Sequence, residues 1–269
     1  MTKIDLQGIS NARDLGGIAT PYGTVATGRL IRSGEHSRMT DSDSNALRAL
    51  GLARVIDLRT DKEMANVPDR KIEGVIYTQI PIIPQTTVGI SYESSDGPTI
   101  AAHLQAGIER MRQRGETPEE HMCELYSRFA TNEFCKQHIG QFVQTLAHYP
   151  TQGATLWHCS AGKDRVGVCT ATLLHCLGAT KEQIIADYML TNTQTETSRE
   201  SVIAKVTPHV TADKLNLVKQ MLRVEPHYIG TFFCRRRQFV RQYGRLCCAN
   251  RRNRPRHCPI ACRVFGKIA

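Results

Sequence analysis

The sequence predicts an α/β domain with a mostly parallel central sheet flanked by helices. Three observations carry this. An apolar run, Ala154 to Trp157, leads into a polar loop and then into apolar residues at helical spacing (Val166, Cys169, Leu173, Leu174, Leu177). Thr40 opens a second helical pattern, with Asp41 and Asp43 in its first turn and Leu47, Leu50 and Leu52 as its apolar stripe. Gly51 ends it, and Val55 to Leu58 follows as a buried strand. Helix followed by strand is the pattern of parallel winding.

The remaining elements follow in order. Residues 4–17 read as an irregular approach with a turn at Gly16-Gly17. Within it Asn11, Arg13 and Asp14 form a dense polar cluster, read as buried hydrogen bonds that pin the N-terminus rather than as the edge of a site. Tyr22 to Val25 and Arg29 to Arg32 are expected as short strands, and Arg59 and Glu63 as a structural pair across a turn. Val75 to Ile83 is a continuous apolar strand halted by Pro81 and Pro84. Gln85 to Thr99 is rich in Ser, Thr and Gly, and charged helices are expected over 100–114 and 118–130. A helix over 132–149 should pack on the sheet through Phe134, Ile139, Phe142, Val143 and Leu146. Thr180 with Gln183 is a capping box, residues 212–222 are amphipathic, and Pro226 starts a last helix.

Length and composition fit one domain, residues 1–233, with an extension. No stretch approaches the roughly 20 apolar residues of a membrane span. Met1 to Gln7 lacks the apolar stretch of a signal peptide, so the expectation is a cytoplasmic protein, or one exported without such a peptide. The net charge of +10 is uneven. Residues 234–269 hold 11 of the 35 basic side chains, five of the ten cysteines and no carboxylate. The preceding 233 residues carry 24 basic against 25 acidic side chains, which gives no whole-surface signal for nucleic acid. The tail reads as a basic arm, as a poor zinc pattern (Cys247, Cys248, His257, Cys258, Cys262), or, as favoured here, as disordered text from a shifted reading frame.

The chemistry concentrates in His158-Cys159-Ser160-Ala161-Gly162-Lys163-Asp164-Arg165. A tight loop from strand to helix directs backbone N–H groups inward at the positive end of the helix dipole. Those donors and a nearby guanidinium favour the thiolate of Cys159, and they match the oxygens of a phosphoryl group. Arg165 returns one turn into the loop, where its planar fork can bind two of those oxygens. Attack by Cys159 would form a thiophosphate that water then hydrolyses, with charge held by preset dipoles and no metal or cofactor required. Asp164 is placed to protonate the leaving oxygen and later to deprotonate water. The backbone of Ser160, Ala161, Gly162, Lys163 and Arg165 is the expected phosphate cradle. Lys163 adds charge at the rim, His158 orients the loop, Gly162 permits the turn, and Gly167 permits close strand–helix approach. His103, His121 and His138 lack ligand spacing, so no metal site is expected.

The octapeptide HCSAGKDR resembles the signature loop of the Cys-dependent protein tyrosine phosphatases. More narrowly, it is similar to the branch that includes mycobacterial protein tyrosine phosphatase B. Asn11 to Gly17, Arg32-Ser33-Gly34, Asp57-Leu58-Arg59 and Ala186-Asp187-Tyr188 with Asn192 agree. The resemblance implies phosphomonoester hydrolysis of phosphotyrosine, phosphoserine and phosphothreonine proteins and of phosphoinositides. It also implies that Asp164 replaces a separate mobile acid loop, and that residues of about 85–130 form a lid over the pocket. Two departures stand out. Val166 follows the Arg where most of the superfamily has Ser or Thr, which predicts slow breakdown of the phosphoenzyme, and Ala12 replaces a usual Phe. The rival readings are a sulfurtransferase, a non-catalytic phospho-binding scaffold, and a nucleic-acid binder that rests wholly on the tail. No nucleic-acid partner and no membrane insertion are expected.

Overall fold

Alternation along three strands places the core. In the computed structural model, which describes residues 1–84, 96–148 and 152–235, strand residues of opposite parity feed two clusters. Leu156, Val55 and Ile31 belong to one, and Trp157, Ile56 and Leu30 to the other. Period two is what a pleated strand imposes. Burial on both faces is why these runs read as continuously apolar.

The strands among the described residues are β1 (Thr2–Lys3), β2 (Arg13–Asp14), β3 (Ala19–Thr20), β4 (Gly23–Thr24), β5 (Leu30–Ser33), β6 (Leu52–Asp57), β7 (Ile76–Gln79) and β8 (Ala154–His158). One sheet runs β1-β2-β5-β8-β6-β7. β5, β8, β6 and β7 are mutually parallel, and β2 and β1 add antiparallel at the β5 edge. The predicted α/β class is therefore the observed one. β8 lies between β5 and β6, so the loop that leaves it emerges from the middle of the parallel part, where open α/β sheets place their ligands.

Some expectations need correction. The segment 22–25 forms a small hairpin of β3 with β4, off the main sheet. Only Ile76–Gln79 of the 75–83 run pairs, at the sheet edge, where Ile76 is 53% exposed. The segment 4–17, expected to be irregular, contributes β2, and both residues of that strand are buried.

The helices are α1 (Asp41–Ala49), α2 (Asp61–Asn66), α3 (Gly97–Arg114), α4 (Pro118–Thr131), α5 (Glu133–His148), α6 (Asp164–Cys176), α7 (Lys181–Gln194), α8 (Glu196–Val206), α9 (Ala212–Met221) and α10 (Pro226–Arg235). Thr180 and Gln183 form the predicted capping box of α7. α2 and α8 have no counterpart among the elements expected from sequence. α2 has no apolar stripe. Its start is set by Thr60, whose hydroxyl accepts from the Glu63 N–H while the Glu63 carboxylate accepts from the Thr60 N–H.

The candidate lid region divides between two bodies. Met122, Tyr126, Phe129 and Ala130 of α4 belong to the main core, and α4 packs along α10. Ile100, Leu104 and Ile108 of α3 instead form a third cluster with Val202 and Val206 of α8 and Val218 of α9. Residues 85–95 and the tail at 236–269 lie outside the described residues.

Trp157 shows how the core tolerates polar atoms. Its ring is fully buried, Phe142 meets it edge-on at 5.4 Å, and its indole N–H donates to Thr170 Oγ1 at 3.0 Å. Truncating such a side chain costs about 3–5 kcal/mol.

Candidate active site

The loop from β8 to α6 is held from outside by its carbonyls. Glu35 N–H donates to Ser160 O at 2.9 Å. Asn11 Nδ2 donates to Ala161 O (3.1 Å) and Gly162 O (2.8 Å), and Arg32 Nη2 donates to Gly162 O at 2.9 Å. A trans peptide directs its N–H opposite to its C=O. The amides of Ala161, Gly162 and Lys163 therefore face the other way, as an anion cradle requires. Gly162 has φ +65°, and a Cβ there would lie 2.4 Å from Ser33 O. Only glycine fits.

The outer anchors form a buried network. Asn11 sits at φ +57°. Its Oδ1 accepts from Arg13 Nη1, and Arg13 Nε reaches Asp187 Oδ1 at 2.8 Å. Arg32 Nη1 meets the other oxygen of Asp187 at 2.5 Å. Burial lowers Arg13 to about 10, helped by Arg32 and opposed by Asp187. Burial would raise Asp187, yet Arg13 and Arg32 hold it below the usual carboxylate range. The polar N-terminal cluster thus is buried hydrogen bonding, as read from sequence, and it also grips the loop.

Cys159 is 3% exposed at the head of the loop. Arg165 is opposed by Glu63, with Nη1 to Oε2 at 2.7 Å and Nη2 to Oε1 at 2.8 Å. Ser160 Oγ donates to Glu63 Oε1 at 3.1 Å. Burial disfavours the Arg165 cation, but Cys159 and Glu63 outweigh this and raise it further. Burial disfavours the Glu63 anion too, but Arg165 and the Thr60 cap bring it down to about 2. The expected Arg59–Glu63 pair does not form. Arg59 is fully buried and bonds Asp57, Asp69 and Glu35 instead.

Asp164 opens α6, and its Oδ1 accepts from Tyr126 OH at 2.8 Å. Lys163 is not a solvated rim charge. It is 9% exposed, its Nζ donates to Met221 O at 2.6 Å, and it lies 3.6 Å from Asp164 Oδ2. Gly167 serves a helix–helix approach rather than a strand–helix one, since a Cβ there would lie 3.0 Å from Tyr188 Cε2.

His158 is fully buried below the loop. Its Nδ1 lies 3.2 Å from Cys159 O, and its ring stacks on His36 at 4.5 Å. Burial lowers His158, opposed by Asp57. Burial and His158 together lower His36 to about 3. Asp57, Asp69 and His158 are the one set of described residues whose ligand atoms are close enough for an ion. The Arg59 guanidinium already bonds both carboxylates, which supplies the positive charge that an ion would.

A cavity of about 530 Å³ opens above Cys159 and Arg165. Its lining carries Arg110, Arg114, Arg128, Arg199 and Lys163 against Glu124 and Asp164, with Leu104 and Met122 among the apolar walls. A reduced thiol, a clamped guanidinium and a basic wall suit a phosphate ester.

A family model described as "Tyrosine phosphatase family" matches residues 4–246. The chain belongs to the tyrosine phosphatase family. It is a cysteine-dependent phosphatase, a hydrolase that works through a cysteinyl-phosphate, which sets aside the sulfurtransferase and scaffold readings. The phosphatase is 31% identical over 196 residues to the triple specificity protein phosphatase PtpB of Mycobacterium tuberculosis, covering 70% of this chain and 68% of that one. It is 27% identical over 164 residues to a tyrosine-protein phosphatase of Nostoc commune, covering 60% and 47%. A solved structure of kinase associated phosphatase overlays loosely, with TM-score 0.37 at 15% identity over 81% of this chain and 94% of that one. No helix among the described residues is long and apolar enough to cross a membrane.

The structure ties the loop to Asn11, Arg32 and Asp187, which lie in the stretches that carry the resemblance, and to Glu63, whose Thr60-x-x-Glu63 capping box is legible in the sequence. Tyr126 is the one residue here that the sequence reading did not name.

Proposed function

We propose that this phosphatase hydrolyses phosphotyrosine, phosphoserine and phosphothreonine in proteins, together with phosphoinositides. The observation that carries the reading is the clamped Arg165 fork beside Cys159 at the foot of a cavity rich in guanidinium groups. A wide cationic mouth suits anions larger than a single phosphate. One relative bears the name triple specificity protein phosphatase.

In this mechanism Cys159 is the nucleophile, and its sulfur–phosphorus bond forms as the ester P–O bond breaks. Asp164 gives its proton to the departing oxygen. Arg165 and the amides of Ser160 to Arg165 hold the equatorial oxygens as charge develops. Water then attacks phosphorus, Asp164 takes a proton from that water, and the P–S bond breaks to return the thiolate and inorganic phosphate. His158 supports the loop through Cys159 O. Helices α3, α8 and α9 share an apolar cluster apart from the main core and line the cavity beside α4, and they rather than α4 are the candidate mobile cover.

The test is a panel of phosphopeptides and phosphoinositides with wild type and Cys159→Ser. Turnover should vanish in the variant while substrate binding persists, and orthovanadate should inhibit the wild type. Turnover that survives Cys159→Ser would sink the mechanism. Activity confined to one class would narrow the substrate claim.

A further inference from the structure

Asp164 is held by a chain of two buried phenols. Tyr126 OH donates to Asp164 Oδ1 at 2.8 Å, and Tyr188 OH donates to Tyr126 OH at 2.5 Å. Tyr126 and Tyr188 are 0% and 1% exposed. Tyr126 comes from α4, Tyr188 from α7 and Asp164 from α6. Gly167 lets the Tyr188 ring approach α6, because any larger side chain would place its Cβ 3.0 Å from Tyr188 Cε2. Phenylalanine at both positions would bury similar apolar area without hydroxyls that must be desolvated. Both hydroxyls are present, and they lead to the carboxyl that the mechanism uses.

We propose that Tyr126 is a positioning residue for proton transfer. Its hydroxyl occupies Asp164 Oδ1 as a donor, so the transferable proton resides on Oδ2, and Tyr188 fixes the direction of that donation. A phenol has one hydrogen. Because Tyr188 spends its own on the Tyr126 oxygen, the Tyr126 hydrogen is committed to Asp164. Oδ2 is the oxygen nearer Lys163, at 3.6 Å. Burial, with Asp164 and Tyr188 beside it, holds Tyr126 well above the ordinary phenol range, so it remains a donor throughout the working pH. In phosphorylation the Oδ2 proton passes to the leaving oxygen. In hydrolysis Oδ2 receives a proton from the attacking water. The phenols exchange no proton in either step.

This rests on Asp164 being the acid, and the experiment separates the two claims. kcat/KM is measured with the full chain on phosphate monoesters of graded leaving-group acidity. Asp164→Asn should lose about 100-fold on the poorest leaving groups and far less on activated aryl esters. Tyr126→Phe should show the same slope against leaving group, with a loss of about tenfold at the poor end. Tyr188→Phe should show it more weakly, and that variant decides the matter if Tyr126→Phe does not fold. Adding Tyr126→Phe to Asp164→Asn should cost nothing more at the poor end. Losses equal across the series in both tyrosine variants, with Asp164→Asn behaving as stated, would overturn the role of Tyr126. A flat series for Asp164→Asn would instead overturn Asp164 as acid, and the inference with it.

Discussion

Glu63 grips Arg165 end-on, with each carboxylate oxygen within 2.8 Å of a different terminal guanidinium nitrogen. A two-point grip fixes the plane of the guanidinium as well as its position. Preset orientation is what lets a donor stabilise charge without rearranging during the reaction.

Removing Glu63 should therefore harm both stability and turnover. Glu63→Ala leaves a buried cation without its carboxylate partner and should destabilise by about 3–5 kcal/mol in urea melts. Glu63→Gln keeps the shape and should cost less stability, yet still lower kcat/KM about tenfold through a looser Arg165. Unchanged kinetics in Glu63→Gln would show that Arg165 needs no such support.

Gly162→Ala should disable the loop. The new Cβ would lie 2.4 Å from Ser33 O, at a φ of +65° that side chains rarely adopt. The loop must shift, and a displacement near 1 Å at reacting groups costs about 100-fold. Thermal denaturation and kcat on an aryl phosphate would show this. A variant of wild-type activity would mean that the cradle is not the one described.

Val166 follows Arg165, is wholly buried, and offers no hydroxyl. Breakdown of the phosphoenzyme should then be slower than its formation, giving a burst of leaving group equal to the enzyme concentration in rapid mixing. Val166→Thr should raise the steady-state rate and shrink the burst. A linear trace in wild type, with Val166→Thr no faster, would count against this.

Acid should destabilise the fold through His36. Its folded value of about 3 lies below the ordinary histidine value of 6.5, so the unfolded chain binds a proton that the folded one does not. That cost is absent above pH 6.5 and grows as pH falls toward 3. Glu63 acts further down, since its stabilising contribution is lost as pH falls from 4.5 through about 2. Urea midpoints measured from about pH 7 to about pH 4 should fall less steeply in His36→Gln than in wild type. Parallel curves would mean that His36 is not the group responsible.

What the sequence reveals and what it hides follow from distance along the chain. Cys159, Asp164 and Arg165 share one short loop, so their relation survives as spacing. Glu63 meets Arg165 across 102 residues, and Asn11 meets Gly162 across 151. No periodicity reports such a pairing. Arg59 and Glu63 look like partners in the sequence because they lie one helical turn apart. Alternative partners decide otherwise: Asp57 and Asp69 bond Arg59, and Arg165 bonds Glu63. α2 escapes a reading by periodicity because a helix held mainly by its cap has no apolar stripe to display.

By itself the sequence determined the class of fold and the strand–loop–helix that carries Cys159, Asp164 and Arg165 in order, because backbone geometry acts over a few positions. Only the tertiary structure decided which side chains clamp the loop, that Lys163 is tethered to the end of α9, and that the region before the loop splits between the main core and a second apolar cluster. Those are matters of which surfaces bury against one another. Burial energy depends on the assembled whole, not on neighbours in the chain.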